Sequence, residues 1–126
     1  MSESTSGIDA AAALPPIDIT VDRVSAKQTL LSVSGEIDML TTPRLREVLS
    51  GHLAEPGTEL LLELENVSFL GSAGLQLLAE TQQQAKDAGV DLSLICSTRQ
   101  VLRPLSLTGL DHMFTVYPNL ESVPTE

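Results

Sequence analysis

Aromatic residues are almost absent: the 126-residue chain has no tryptophan, one tyrosine and two phenylalanines. Its core must therefore be built from Leu, Val, Ile and Ala, and no row of rings is available to stack nucleic-acid bases. Basic residues are scarce too, seven Lys and Arg against 17 Asp and Glu, for a formal charge of −10. Nucleic acids and anionic membranes are held by clustered Lys or Arg, so neither is an expected partner, and the acidity reads first as a solubilising surface. Cys96 is the only cysteine, which excludes an internal disulfide and the C-x-x-C metal and redox spacings. At the end of the run Leu92-Ser93-Leu94-Ile95 it reads as a buried, inert thiol. No apolar run approaches the ~18 residues of a membrane-spanning helix. Ala10 to Leu14 is too short for a signal segment and has no basic flank, so a cytoplasmic location is expected.

What is present reads as one α/β domain with a single core. Residues 1–16, rich in Ser, Ala and Pro, read as a mobile tail ahead of a domain over 17–126. Ile17 to Asp22 alternates apolar and polar residues as a half-exposed strand does, and Thr29 to Glu36 forms its hairpin partner. After Asp38 the period becomes helical, with Thr42 as N-cap, Pro43 at the first helical position and a stripe of Leu45, Val48, Leu49, His52 and Leu53. His52 on that stripe reads as a packed side chain, and no second ligand at suitable spacing supports a metal site.

The longest aliphatic run, Glu59 to Leu70, reads as the central strand. It breaks at Gly71 and passes into a helix with Gly74, Leu77, Leu78, Thr81, Ala85 and Ala88 on one stripe, ended by Gly89. Strand Asp91 to Ile95 follows, parallel to the central one. Thr98 then caps a short helix that Pro104 is expected to kink or shorten, and Met113 to Tyr117 makes a last parallel strand. Asn119 caps a terminal turn. The expected fold is a mixed sheet of four or five strands with helices packed mainly on one face.

Ser72 stands where the central strand hands over to its helix, so it reads as an N-cap. Strand ends at helix mouths are also where open α/β sheets place functional groups, which makes its hydroxyl a candidate site. Catalysis is not expected, because Leu70 stands in place of the first glycine of a G-x-S-x-G elbow and neither His52 nor His112 has partners that would make it a base. The turn has no lysine and no phosphate-loop spacing. A serine that receives a phosphate fits better than one that attacks.

Three ordered landmarks extend this reading: Gly35-Glu36-Ile37-Asp38 with Thr42-Pro43-Arg44-Leu45, then Val67 through Leu75, then Leu107-Thr108-Gly109-Leu110. With them the chain resembles STAS domains, specifically free-standing bacterial anti-sigma factor antagonists, over roughly residues 17–123. In that family the turn usually reads D-S-[ST]-G-L, and its first serine accepts phosphate. The resemblance assigns that role to Ser72. The chain departs from the pattern at Gly71, where the family has aspartate, and at Ala73, where it has a second hydroxyl.

What the resemblance implies is a STAS fold and a binding protein, not an enzyme, with no cofactor and no metal. Its partner would be an anti-sigma factor of the serine-kinase type, docked on Glu36, Asp38, Thr42, Gly71, Ser72, Ala73, Gly74 and Leu75. A phosphoserine phosphatase would reset the switch. The alternative is a STAS scaffold without phosphorylation, a subunit of a signalling or lipid-transport assembly.

Overall fold

In the computed structural model, residues 17–124 are described; the stretch 1–16, read above as a mobile tail, lies outside them. Strand β1 (Ile17–Ser25) pairs antiparallel with β2 (Gln28–Ile37), from Ile17 opposite Gly35 to Ser25 opposite Gln28, as the hairpin pattern indicates. Helix α1 (Thr42–Ser50) leads to β3 (Glu59–Leu70), which lies parallel to β2. Helix α2 (Ser72–Ala88) leads to β4 (Asp91–Ile95), parallel to β3, and α3 (Arg99–Thr108) leads to β5 (Thr115–Tyr117), parallel to β4. The five strands lie in chain order, β1-β2-β3-β4-β5.

The main core fills the space between one face of this sheet and the three helices. Leu31 and Val33 of β2 and Leu60, Leu62 and Leu64 of β3 meet Leu45 and Leu49 of α1, Leu77 and Leu78 of α2, and Leu105 of α3. A smaller cluster, Leu30, Leu61, Ile95 and Val123 with Tyr117 against it, sits on the other face. That second cluster is closed by the C-terminal segment, where the buried amide of Gln28 donates to the Pro124 carbonyl at 2.8 Å and to Glu59 at 2.9 Å.

Strand β3 is not a simple alternation. Its pairing with β2 slips between Ser32 and Ser34 and again between Gly35 and Glu36, each slip giving β3 one extra residue. A one-residue slip swaps the faces of everything that follows. The helix-facing residues accordingly run Leu60, Leu62, Leu64, then Val67, then Leu70. The second slip turns Phe69 out to solvent, where it is 52% exposed, and turns Leu70 in.

Two helix starts differ by one residue from the sequence reading. The N-cap of α1 is Thr41, not Thr42, because the Thr41 carbonyl accepts the first helical bond, from Leu45. The N-cap of α2 is Gly71, not Ser72, for the same reason: the Gly71 carbonyl accepts from the Leu75 amide at 3.0 Å. Thr98 does stand at the N-cap of α3, but its side chain makes no capping bond. Helix α3 runs on through Pro104 to Thr108, whose hydroxyl donates to the Pro104 carbonyl at 2.8 Å. Asn119 caps its turn as expected, accepting from the Ser122 amide at 2.9 Å.

Candidate functional site

Since β2 and β3 are parallel, their C-terminal ends, Ile37 and Leu70, finish side by side and open onto one rim. The two connections are stitched there: the Gly71 amide donates to the Ile37 carbonyl at 2.9 Å. Ser72 follows as the first residue of α2, exposed, and its hydroxyl makes no hydrogen bond among the described residues. The start of this 17-residue helix carries no side-chain cap and no acidic residue in its first turn. Unpaired amides and the positive end of the helix dipole are thus left without an anion, next to an open hydroxyl.

The neighbouring loop is built by Asp38. Its carboxylate accepts from the Leu40 amide at 2.9 Å and the Thr41 amide at 3.1 Å, the bonding of an Asx turn. The Thr41 hydroxyl, fully buried, donates to the Glu36 carbonyl at 2.8 Å and accepts from the Asp38 amide at 2.9 Å. Asp38 therefore shapes the loop, and Thr42 is buried behind it. The outward-facing residues of the loop are Glu36, Met39 and Leu40, the last two 77% and 71% exposed. Residue-by-residue reading missed Met39 and Leu40; two large apolar residues between a turn acid and a helix cap, on no stripe, are the signal that finds them.

Of the expected rim residues, Gly71, Ser72 and Ala73 lie at the surface or half-buried, Leu75 is half-buried and Gly74 is buried. Gly74 has a packing role. A Cβ there would lie 2.6 Å from Ile37 Cγ2 and 2.7 Å from Leu70 Cδ1, so only a hydrogen lets α2 approach the sheet this closely. Gly71 is different. Its backbone is extended (φ −90°), open to any residue, and a Cβ would press on the edge of the exposed Phe69 ring, at 2.9 Å, with the Ile37 carbonyl in ordinary contact at 3.7 Å.

Gly71→Asp is accordingly expected to fold, with the Phe69 ring swinging aside. An aspartate N-cap is better than glycine by a few tenths of a kcal/mol, so the thermal midpoint is expected to hold or rise slightly. If Ser72 accepts phosphate as the resemblance implies, a carboxylate beside its hydroxyl would orient it, and transfer in a timed kinase assay is expected to quicken. A slower or unchanged rate in a folded variant would show that Gly71 is not the loss of a catalytic aid.

Nearby on α1, Arg44 donates to the Ile17 carbonyl at 2.8 Å and Arg46 pairs with Glu80 at 2.9 Å. Cys96 is buried, and burial, helped by the nearby Glu65 charge, pushes its thiol up to about 11. It stays protonated at neutral pH and so is a poor nucleophile, which matches the reading of an inert thiol.

A five-stranded mixed sheet that offers a bare serine and exposed apolar side chains on one rim is the frame of a small α/β binding module. The STAS domain family model matches residues 19–123. The chain belongs to the STAS domain family. It is 34% identical over 96 residues to the anti-sigma-F factor antagonist RsfB of Mycobacterium tuberculosis, covering 76% of this chain and 78% of that one. It is 32% identical over 101 residues to the anti-sigma-B factor antagonist of Bacillus subtilis, covering 79% and 92%. The crystal structure of an anti-sigma factor antagonist from Mycobacterium paratuberculosis superposes with a TM-score of 0.76 at 34% identity, over 86% of this chain and 92% of that one. Among the described residues no helix is long and apolar enough to cross a membrane.

Proposed function

We propose that the chain is an anti-sigma factor antagonist switched by phosphorylation at Ser72. Unmodified, it docks its rim on an anti-sigma factor of the serine-kinase type, and the sigma factor held there is released. Phosphate on Ser72 ends the docking, and a phosphoserine phosphatase restores it. The protein acts by binding, as a regulator in the cytoplasm, and not as an enzyme.

The observation that carries this reading is the setting of Ser72: exposed, without a hydrogen-bond partner among the described residues, at the first position of a helix that has no side-chain cap and no acid in its first turn. A phosphate there meets free amides and the positive dipole end, so the modified chain keeps its fold and changes only its surface. The relatives' names supply the class of partner.

Reconstitution tests the reading. Adding the unmodified chain to a preformed complex of the cognate sigma and anti-sigma factors is expected to restore sigma-dependent transcription in vitro. A sigma factor that stays bound at saturating chain would defeat it. Gly71 and Ala73 favour a second reading, a STAS scaffold that is never phosphorylated. An unchanged mass after incubation with ATP and the anti-sigma kinase would select it.

A further inference from the structure

We infer that the cleft between the end of β3 and helix α3 is a second part of the docking face, and that it receives an extended segment of the anti-sigma factor in which acidic and apolar residues alternate. This rests on the functional reading above and adds α3, which neither the turn at Ser72 nor the loop after Asp38 includes.

The cleft holds about 430 Å³ and is open to solvent. Phe69, Leu70 and Pro104 supply its apolar surface, and Arg99, Gln100 and Arg103 its polar edge. In a chain with 17 acids and seven bases, two bases and, among the described residues, no acid line this cleft. Neither arginine pairs with a carboxylate among the described residues. On the other side of Phe69 the sign changes, because Glu36 stands opposite it in the β2–β3 register. A complementary partner thus brings acids toward α3 and a base toward Glu36.

Spacing selects an extended segment. Arg99 and Arg103 are four residues apart on α3, about 6 Å along its axis. Alternate residues of an extended chain are about 6.6 Å apart and point the same way, so acids at alternate positions meet both guanidinium groups. The intervening side chains then point away from the arginines, toward the exposed ring of Phe69. The cleft also joins the Ser72 turn physically, since the Phe69 ring lies within 2.9 Å of where a Gly71 side chain would begin.

Calorimetric titration of the full, unmodified chain with the cognate anti-sigma factor tests this. The doubly substituted Arg99→Glu, Arg103→Glu chain is expected to bind about thirtyfold more weakly, as reversing desolvated charge contacts does. The Arg99→Lys, Arg103→Lys chain, which keeps the charge, is expected to stay within about threefold. Both arginines are exposed, so the thermal midpoints of all three chains are expected to agree, and the comparison then reports on the surface. Equal affinity for the unsubstituted and Glu-substituted chains overturns the role of the cleft and leaves the Ser72 switch standing. If the unsubstituted chain itself fails to bind, the functional reading falls. A charge reversal that alters the sedimentation of the chain alone, with no effect on the complex, would make the cleft a contact between copies and also overturn the proposal.

Discussion

Phosphorylated at Ser72, the chain is expected to bind its anti-sigma factor about 100-fold more weakly than the unmodified form. A phosphoserine brings about 1.5 to 2 negative charges onto a rim that, when free, presents Glu36, Met39, Leu40 and Phe69. On a packed interface that charge must be desolvated or must face the partner's acids, at a cost of several kcal/mol. About 3 kcal/mol is enough for the factor of 100. Ser72→Ala is expected to bind like the unmodified chain and to be immune to the kinase. It loses no cap, since Gly71 is the N-cap and the Ser72 hydroxyl makes no hydrogen bond among the described residues. Ser72→Glu, with less charge and a different shape, is expected to fall between the two. Titration calorimetry of the four forms measures this directly, and equal affinity for unmodified and phosphorylated chain would remove the switch.

Gly74→Val is expected to cost about 3 kcal/mol of folding stability, at the upper end of overpacking effects. The neighbours that a new Cβ would strike, Ile37 and Leu70, are 1% and 5% exposed, so neither has room to swing away. Relief must come from lifting the start of α2 off the sheet, which also strains the bond between the Gly71 amide and the Ile37 carbonyl. Gly74→Ala is expected to lose less, because replacing a helical glycine returns about 1 kcal/mol of propensity against a smaller clash. By thermal unfolding, a drop of about 10 °C or more is expected for valine and a smaller one for alanine. A valine variant melting within about 2 °C of the parent would show that the helix does not sit this close.

Much of the architecture was legible because the periodicities are clean. Glu59 to Leu70 and Asp91 to Ile95 have the observed strand bounds, and of the expected stripe on α2 Gly74, Leu77, Leu78, Thr81 and Ala85 are buried and Ala88 half-buried, with Gln82 buried beside them. The helix starts were blurred by chemistry. Gly71 caps with its carbonyl alone and leaves no side-chain signature, so the adjacent serine drew the assignment. At Thr41 and Thr42 two identical side chains competed, and what separates them is the local set of bonds that ties the Thr41 hydroxyl to the Glu36 carbonyl and the Asp38 amide. The orientation of Phe69 was hidden for a different reason. Strict alternation from Val67 would bury it, and nothing local announces the slip at Ser68 that turns it out. Arg99 and Arg103 went unremarked because the cleft they border exists only once α3 is packed beside β3.

The agreement between strand order and chain order bears on how the molecule is made. No strand has to wedge between two that already exist, so a chain emerging from the ribosome extends one growing edge. The β1–β2 hairpin closes first, over a short loop. The parallel pairing of β2 with β3 must wait for α1 and is the natural bottleneck, because a longer stretch has to be ordered before its contacts form. Once it is passed, Ile37 and Leu70 are already side by side, and the Ser72 turn takes shape while the last fifth or so of the sheet is still being synthesised. Lesions in β5 or the C-terminal clamp are therefore expected to spare the early steps of assembly and to act on the lifetime of the finished fold, whereas lesions in β2 or β3 strike its yield.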